Sequence, residues 1–378
     1  MIDLRWHISD ASHARCHPPL PSAVAALADE GRTGNVHDQA SRSKLLSEIA
    51  QFLGIPVRGP AQRAEALEGR ILLVPGDTIV ASASTAAHSE LMILGGMVPA
   101  AFVATKAITH GLVDEEATRP LEWSTEMARR LGDAALEGFT AFSIEDARRA
   151  GRLLLERGPV RVKDVCGKAG LGQYVVRTET DLDRCLAQED ARMIANCGIV
   201  LEANLSDVVT YSVGSVSLGA HQISYWGSQN LTTDHQGREV YGGSDLYAVR
   251  GGFDVLAGLQ LPVSLAKAVA CATLFDEAAQ AAYPDIRFSR RNYDVIEGTD
   301  SQGLRRIAIL EQSWRIGGAS GAEIAAFKAL AAEPATEAVR CSTVEIYDVV
   351  EPPLGATLYY QSVDPQVGAM TKYTMRLM

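Results

Sequence analysis

The sequence predicts an α+β fold, in which helices and β-sheets form layers, with two or three subdomains. The chain has 378 residues, which is more than a single hydrophobic core usually serves. Short apolar runs typical of strands are mixed with segments of helical periodicity, as in layered folds and unlike a helical bundle or a β-sandwich. We place the joints near Thr105 and Leu205, which divides the chain into residues 1–105, 106–204 and 205–378.

Charge and composition exclude several classes of partner. The 35 basic and 46 acidic residues give a net charge of −11 without a basic run, so we expect no nucleic acid partner, because phosphate binding needs a positive surface. The charged opening "MIDLRWHISD" does not resemble a secretory signal, and no apolar run of about 18 residues predicts a membrane span. The six cysteines are scattered, which favours free thiols in the cytoplasm over disulfides or a zinc site.

The N-terminal part is predicted to contain a helix followed by two strands. In "SRSKLLSEIAQFLGIP" the apolar side chains form one helical stripe, Ser41 or Ser43 can cap its start, and Gly54 can end it. The segment "RILLVPGDTIVASAST" predicts a buried strand, a turn and a second short strand. Together these elements indicate an α/β layer.

The remaining elements alternate between helix and strand. From Ala104 to Gly158 the pattern is mostly helical, and strands follow in "PVRVKDV", "QYVVR", "GIVLEANL" and "TYSVGSVSL". The segment "SLAKAVACATLFDEAAQAAYP" predicts a helix from Ser264 to Pro284, and "NYDVIEGTDSQGLRRIAILEQ" predicts two strands joined by a turn. The last residues, from 341 to 378, contain strand-like apolar runs to which we assign no role.

Glycines cluster in "GPVRVKDVCGKAGLGQYVV", where one predicted strand turns into the next. Glycine lets backbone amides approach an anion closely, and Lys168 adds positive charge inside the turn. The segment is neither a Walker motif nor a dinucleotide motif, because no helix follows it. Taken alone, it fits a plain β-hairpin better than a phosphate-binding turn. Cys166 at its start fits a buried thiol better than a nucleophile.

Two carboxylates are predicted to face each other across the strand pair that ends in "LEQSWRIGGASG". If the turn before it centres on Gln302 and Gly303, Asp294 and Glu311 lie directly opposite. Facing like charges destabilise a strand pair unless they are neutralised, which a divalent cation would do. Ser313 lies on the same face and adds an oxygen. Magnesium accepts a few protein oxygens together with water and substrate phosphates.

The residues around this carboxylate pair support two interpretations. Arg315 and the pair Gly317–Gly318 bring a fixed positive charge and close backbone approach to the same place. In the alternative interpretation, Glu311 pairs with Arg305 or Arg306 at the surface. The spacing alone leaves both interpretations open.

The segment "IVLEANL" is an apolar strand that ends in a charged residue. The strand stops at Glu202 and leaves through Leu205, so its backbone C=O and N–H groups could contact a flat base. Asp207 would then lie near a ribose hydroxyl. In isolation an ordinary strand end is the better interpretation.

In this order, the lysines, the glycine-rich turn, the strand-end glutamate and the carboxylate pair resemble the ATP-grasp superfamily, in which two α+β subdomains hold ATP between them. The resemblance runs from about Lys106 to Gly321, and "NYDVIEG" and "LEQSWRIGG" are its most specific part. A closer similarity is to a little-characterised bacterial family of ATP-grasp-like proteins allied to peptide ligases. It implies an N-terminal α/β pre-ATP-grasp domain (1–105), a small lid subdomain (106–204) and a C-terminal subdomain with the metal site (205–378).

The resemblance also implies roles for individual residues. Lys106 in "ATKAITH" and Lys163 in "VRVKDV" match the two lysines that bind ATP. The ATP-binding set it implies is Lys106, Lys163, Gly167, Gly170, Gly172, Glu202, Leu205 and Asp207. Asp294, Glu311 and Ser313 would hold Mg²⁺, with Ser313 in place of the usual asparagine. Lys168 and Arg315 would be the catalytic cations.

The implied activity is that of an ATP- and Mg²⁺-dependent ligase that makes an amide or peptide-like bond. ATP phosphorylates a carboxylate, and an amine then attacks the acylphosphate, so the partners are a small-molecule carboxylate and an amine. Because Ser313 departs from the family pattern, an ATP-binding sensor or partner subunit without ligase activity is a second hypothesis. A phosphotransferase acting on a small metabolite is a third. Size alone allows a homodimer, for which there is no motif.

Overall fold

The computed structural model describes residues 20–28, 35–81, 91–167 and 172–377. Within these ranges the α-helices are α1 (Val36–Leu53), α2 (Arg63–Gly69), α3 (Glu126–Leu131), α4 (Ile144–Leu155), α5 (Glu179–Leu186), α6 (Ala191–Cys197), α7 (Phe253–Ala257), α8 (Val263–Ala282) and α9 (Ser320–Ala332). Short 3₁₀ turns cover Ala101–Ala104, Lys106–Thr109 and Gly132–Ala134. No helix in the described ranges is long and apolar enough to cross a membrane.

The strands assemble into four sheets. In chain order they are β1 (Ala23–Ala26), β2 (Ile71–Val74), β3 (Ile79–Val80), β4 (Gly96–Val98), β5 (Gly138–Ala141), β6 (Val160–Asp164), β7 (Gln173–Val176), β8 (Ile199–Ala203), β9 (Ser206–Leu218), β10 (His221–Thr233), β11 (Glu239–Arg250), β12 (Arg287–Phe288), β13 (Arg290–Thr299), β14 (Arg305–Ser313), β15 (Ala338–Ile346), β16 (Thr357–Asp364) and β17 (Gly368–Leu377). The sheet orders are β1-β2, β12-β4-β3, β5-β8-β6-β7 and β14-β13-β9-β10-β11-β15-β17-β16.

Each of the two larger sheets is built from one continuous part of the chain. The four-stranded sheet is built only from residues between 106 and 204, and the eight-stranded antiparallel sheet only from residues after 205. The N-terminal strands form parallel pairs, β1 with β2 and β3 with β4, as expected for an α/β layer. However, β12 comes from the C-terminal part and joins the N-terminal sheet. The joints at Thr105 and Leu205 stay predictions.

The eight-stranded sheet is covered by helices on both faces. Alternate residues of a strand point to opposite faces, and in β9 Val213 packs in the cluster that contains α8, whereas Val216 packs in the cluster that contains α1 and α9. Each cluster buries apolar side chains from several strands, so hydrophobic burial fixes both helical layers on the sheet. In the four-stranded sheet, α4 and α5 cover one face in a third cluster.

Three predictions about individual elements need correction. The helix expected to begin near Ser41 begins at Val36, because the side chain of Asn35 accepts a hydrogen bond from the backbone of Asp38 at 3.2 Å and caps it. The region from Ala104 to Gly158, expected to be mostly helical, contains β5, a strand that pairs with β8. The segments that form β10 and β11 were not predicted as strands. Their length comes from pairing with each other and with neighbouring strands.

The N-terminal and C-terminal parts meet at a glycine pair. The carbonyl of Gly95 accepts a hydrogen bond from the backbone of Ser289 at 2.9 Å, and Gly96 lies against Trp314. A Cβ atom at residue 96 would lie 2.7 Å from the Cβ of Trp314, which is 1% exposed. The absence of a side chain at Gly96 therefore lets the end of β14 approach β4.

We predict that Gly96→Ala lowers the free energy of unfolding by about 1–3 kcal/mol, because the new methyl group must displace the backbone around a buried tryptophan. Urea unfolding followed by tryptophan fluorescence measures the loss. Gly59→Ala is the matched control, since a Cβ atom there meets nothing within 4 Å. Equal stability of the two variants would contradict the proposed close approach.

Candidate functional site

The strand pair β13–β14 brings the two predicted carboxylates together. Asp294 lies opposite Glu311, as expected, but the route differs. The turn centres on Gln302 and not between Gln302 and Gly303, and a bulge beside Asp294 leaves Leu310 without a partner across the ribbon. The turn and the bulge together therefore restore the pairing.

Polar side chains at the end of β14 contact the 3₁₀ turn that carries Lys106. Glu311 Oε2 lies 2.6 Å from the Nζ atom of Lys106, which is 5% exposed. The Gln312 side chain donates a hydrogen bond to the backbone carbonyl of Thr105. Trp314 Nε1 donates to the hydroxyl of Tyr293 at 3.2 Å. These side chains hold β14 and the lysine turn in one arrangement.

The alternative interpretation of Glu311 as a surface partner of arginines is wrong. Arg305 pairs with Glu297 at 2.9 Å, and Arg306 pairs with Asp300 at 2.8 Å. Both arginines therefore have their own carboxylates near the turn.

A second buried ion pair lies on the four-stranded sheet. Lys163 Nζ lies 2.5 Å from Glu202 Oε1, and His110 Nε2 lies 3.1 Å from Glu202 Oε2. Burial by itself would raise the pKa of Glu202, but the charges of Lys163 and His110 and their hydrogen bonds hold it at about 2. Glu202 is therefore ionised and neutralises Lys163. The charges of Lys106 and Glu311 also act on Lys163, so the two ion pairs are neighbours.

Asp294 has polar neighbours. Its Oδ1 atom accepts from Asn292 Nδ2 at 3.0 Å and from Ser212 Oγ at 3.5 Å. Burial and the charge of Glu311 raise the pKa of Asp294 to about 6, although hydrogen bonds from Gln229 and Asn292 and the charge of Arg290 oppose the shift. The environment that the described residues provide therefore disfavours the ionised form of Asp294.

A buried network behind Asp294 holds β13 in place. Arg290 donates from Nε and Nη2 to the two carboxylate oxygens of Glu323 on α9, both at 2.8 Å. The hydroxyl of Tyr225 donates to Glu323 Oε1 at 2.6 Å, and the same hydroxyl oxygen lies 2.8 Å from Asn292 Oδ1. The spacing of Arg290, Asn292 and Asp294 on one strand face is visible in the sequence, whereas their partners on α9 and β10 are not.

The glycine turn is described at both ends. The amide of Gly167 donates to the carbonyl of Asp164 at 3.2 Å, and the amide of Asp164 donates to the carbonyl of Gly172 at 2.8 Å. Gly172 has φ +72°, a conformation that favours glycine. The carbonyl of Gly167 lies 3.5 Å from the Nζ atom of Lys106. The turn therefore starts beside the charged cluster, the group formed by Lys106, Glu311, Lys163, Glu202 and Asp294. Of the predicted site residues, Lys168 and Gly170 lie outside the described residues.

Residues 203–207, here called the hinge, join the four-stranded sheet to the eight-stranded sheet and contain the remaining predicted binding residues. The amides of Ala203 and Asn204 donate to the carbonyls of Glu137 and Pro159 at 2.8 and 3.0 Å. Leu205 is buried in a small apolar cluster that is completed by Leu136, Ile296 and Ala308. Asp207 follows as an exposed residue of β9 with φ +49°. Leu205 therefore lies next to the face of β13 that carries Asp294, and Asp207 lies outside the charged cluster.

Arg315 lies between the carboxylate ribbon and the N-terminal part. Its Nε atom is 3.7 Å from Asp77 Oδ1, and its Nη1 atom donates to the carbonyl of Ile316 at 2.9 Å. Burial lowers the pKa of Arg315, and the charges of Asp77 and Glu311 partly offset this effect. The guanidinium therefore lies where the N-terminal part of the chain meets the end of β14.

The donor set fits a metal ion that arrives with a phosphate ligand. Asp294 and Glu311 are opposite each other, and Ser313 and Asn292 form the next pair on the same face of the ribbon. Within the described ranges no group of three or more His, Cys, Asp or Glu side chains could hold a metal by itself. Two carboxylates and a hydroxyl suit Mg²⁺, which usually keeps water and phosphate ligands, and a bound cation would offset the burial and the charge of Glu311 that raise the pKa of Asp294.

Comparison with known proteins identifies the fold. A family model described as "Protein of unknown function (DUF3182)" matches residues 24–374, and no curated protein matches the sequence. Carboxyaminoimidazole ribonucleotide synthase from Aspergillus clavatus, solved with ATP, is 12% identical with a TM-score of 0.51, and the match covers 94% of each chain. Biotin carboxylase from Campylobacter jejuni is 10% identical with a TM-score of 0.50, over 94% of this chain and 87% of that one. The predicted ATP-grasp fold is confirmed.

We predict that Asp294→Asn stabilises the protein above pH 6. The folded-state pKa of about 6 exceeds the ordinary value of 3.8, so between these values the folded state keeps a proton that the unfolded state has released. Stability of the wild type therefore falls as pH rises through this window. Urea unfolding from about pH 4 to about pH 8 should show no difference from the variant at the acid end and a lower wild-type stability at the alkaline end.

Glu297→Gln is the control for this experiment. Hydrogen bonds from Tyr211, Arg305 and Ser264 lower the pKa of Glu297 against a small effect of burial, so its stabilising contribution is present at neutral pH and is lost as pH falls. The control variant should therefore be less stable than the wild type at neutral pH. A lower stability of Asp294→Asn across the whole pH range would contradict the raised pKa of Asp294.

Proposed function

We propose, from the premise that this chain belongs to the DUF3182 family, that it is an ATP-dependent ligase of the ATP-grasp type that joins a small carboxylate to an amine. One observation carries this proposal: Lys106 and Lys163, each neutralised by a carboxylate, lie next to the opposed pair Asp294 and Glu311, between the four-stranded and the eight-stranded sheets. Two cations and two opposed carboxylate groups at one place suit a polyphosphate with its divalent cation.

The nucleotide would lie along the cleft between these sheets. Its phosphates would contact Lys106, Lys163 and the glycine turn from Gly167 to Gly172, where Lys168 adds charge. The amides of Ala203 and Asn204 already donate within the fold, which leaves the base to Glu202 and Leu205. The apolar cluster around Leu205 and Ile296 offers a flat ring a surface to pack on.

The metal would be held by Asp294, Glu311 and Ser313. When bound, Mg²⁺ neutralises charge on the phosphate oxygens and orients them. The protein's own part is to position the reactants, because phosphoryl transfer asks for little covalent chemistry from side chains. Ser313 supplies a hydroxyl oxygen where an asparagine is usual in the superfamily, so the donor type is kept.

Arg315 is the group we assign to the acid substrate. It lies beside Asp77 at the junction with the N-terminal part, on the side of the ribbon away from the hinge. A guanidinium binds carboxylate or phosphate oxygens in a fixed geometry, so Arg315 would orient the substrate carboxylate for attack on the γ-phosphate. The resulting acylphosphate would then be attacked by the amine, releasing phosphate. We place this reaction in the cytoplasm.

We predict that the wild type releases ADP and phosphate when incubated with ATP, magnesium and pooled amino acids, and that Glu311→Gln lowers this rate about a hundredfold or more. The substitution removes a carboxylate that holds the metal and also the counter-charge of Lys106, so electrostatic stabilisation of the transferring phosphoryl group is lost. A coupled ADP assay and a phosphate assay measure the two products separately.

Glu297→Gln again serves as the matched variant, since this carboxylate lies in the same strand pair but contacts Arg305 and Tyr211. It should keep nearly full activity. Wild-type turnover by Glu311→Gln would remove the proposed metal assignment. Calorimetric ATP binding without ADP formation over a broad set of acids and amines would instead favour the sensor hypothesis, which the serine at position 313 motivates.

A further inference from the structure

Two thiols meet beside the glycine turn, next to the charged cluster but outside it. Cys166 follows β6 and immediately precedes Gly167, and Cys197 is the last residue of α6. The two thiol groups are hydrogen-bonded to each other. Neither cysteine is in a disulfide within the described residues, and Cys166 is exposed, which corrects the expectation that it is a buried thiol.

This pair differs chemically from other cysteines of the described chain. The hydrogen bond from Cys166 lowers the pKa of Cys197 to about 7, although burial and the charge of Asp164 oppose the shift. Burial raises the pKa of Cys185 to about 11 and that of Cys341 to about 12. Because the thiolate is the form that reacts with peroxides and disulfides, oxidation should concentrate on the pair.

The pair also lies between a segment that contacts Lys106 and a segment that contacts the neighbouring residue, Ala107. On one side, the amide of Cys166 donates to Asp164 Oδ1 at 2.9 Å, and the carbonyl of the next residue lies 3.5 Å from Lys106 Nζ. On the other side, Gly198 follows Cys197, and a Cβ atom there would lie 3.2 Å from the Cβ of Ala107. A covalent bond between the thiols would therefore fix the start of the glycine turn against the lysine turn.

We propose that Cys166 and Cys197 form an oxidative modification site, in which hydrogen peroxide converts the two thiols to a disulfide that weakens nucleotide binding beside Lys106. The thiolate of Cys197 attacks one oxygen of hydrogen peroxide, the O–O bond breaks, and a sulfenic acid and hydroxide form. The hydroxide takes up the proton that the Cys197 thiol had released and leaves as water. The thiol of Cys166 then attacks the sulfenic sulfur, the S–S bond forms, and a second water leaves. The two thiols lose two electrons and the peroxide gains both, so the reaction balances.

The effect has a physical cause at Lys106. A crosslink at Cys166, the residue before the glycine turn, would hold the carbonyl of Gly167 beside the Nζ atom of Lys106, and this contact would compete with a phosphate for the ammonium group. In a reducing compartment such a bond is transient and is reversed by thiol reductants. The effect on the nucleotide rests on the proposed function, whereas formation of the disulfide does not.

The first experiment tests the crosslink itself. The full-length protein is treated with hydrogen peroxide, the remaining thiols are alkylated, and peptides are mapped by mass spectrometry with and without dithiothreitol. We expect a linked pair of peptides containing residues 166 and 197 that dithiothreitol separates, in the wild type and in Cys271→Ser. Cys166→Ser and Cys197→Ser should not form it. Separate sulfinic or sulfonic acids without the linked pair would overturn the proposal.

The second experiment tests the consequence. Calorimetry with ATP and magnesium should show an affinity about tenfold weaker after oxidation, a coupling in the usual range for linked sites, with full recovery in dithiothreitol. Cys166→Ser should bind equally well before and after peroxide. A linked pair with unchanged affinity would overturn the regulatory effect. A reduced protein that binds no ATP would overturn the proposed function and with it this effect, while the crosslink result would stand.

Discussion

The pairing of β13 with β14 is the constraint on which the site depends. Continuing the register of Val295 and Ile309 would place Leu310 opposite Asp294, and Glu311 would then point to the other face. The bulge at Leu310 prevents this shift in register, so the side chain of Glu311 points towards Lys106. Lys106 lies in a 3₁₀ turn outside the eight-stranded sheet. A local irregularity of one residue therefore decides whether the carboxylates and the lysine share one face, which agrees with the frequent location of bulges next to functional sites.

The bulge would be of little use if β13 could shift, and buried ionic groups prevent such movement. Arg290 and Glu323 are almost fully buried and paired through two hydrogen bonds. Removing either partner would leave a desolvated charge, which typically costs about 3–5 kcal/mol. A well-packed apolar pair of the same size would give at least the same stability. The contribution of Arg290 and Glu323 is therefore geometric, because their two hydrogen bonds fix β13 against α9 in one register. Tyr225 extends these contacts to Asn292, and Asn292 bonds to Asp294.

The sequence predicts the local parts of this arrangement and misses the partners. Glycine spacing and apolar runs are local signals that predict the β13–β14 pair. They placed Asp294 opposite Glu311 only because the displaced turn centre and the unpredicted bulge at Leu310 compensate for each other. The contacts of Gln312 with Thr105, of His110 with Glu202 and of Arg290 with Glu323 join distant segments, and no periodicity within one segment encodes them. The start of α1 was missed because Asn35 caps it ahead of the apolar stripe, so the polar first turns have no hydrophobic signal.

The ion pairs of the charged cluster also explain how the charges of the site can be balanced both without a ligand and in the proposed nucleotide complex. Without ligands, Glu311 neutralises Lys106 and Glu202 neutralises Lys163, so neither buried ammonium lacks a counter-charge. In the proposed complex, phosphate oxygens would contact Lys106 while the metal ion contacts Glu311, which exchanges one set of opposite charges for another and leaves no charge unpaired. Asp294 is the exception, because burial and the charge of Glu311 raise its pKa although Asn292, Gln229 and Arg290 act in the opposite direction. A cation bound at this position would stabilise the ionised form of Asp294 and would therefore be attracted to it.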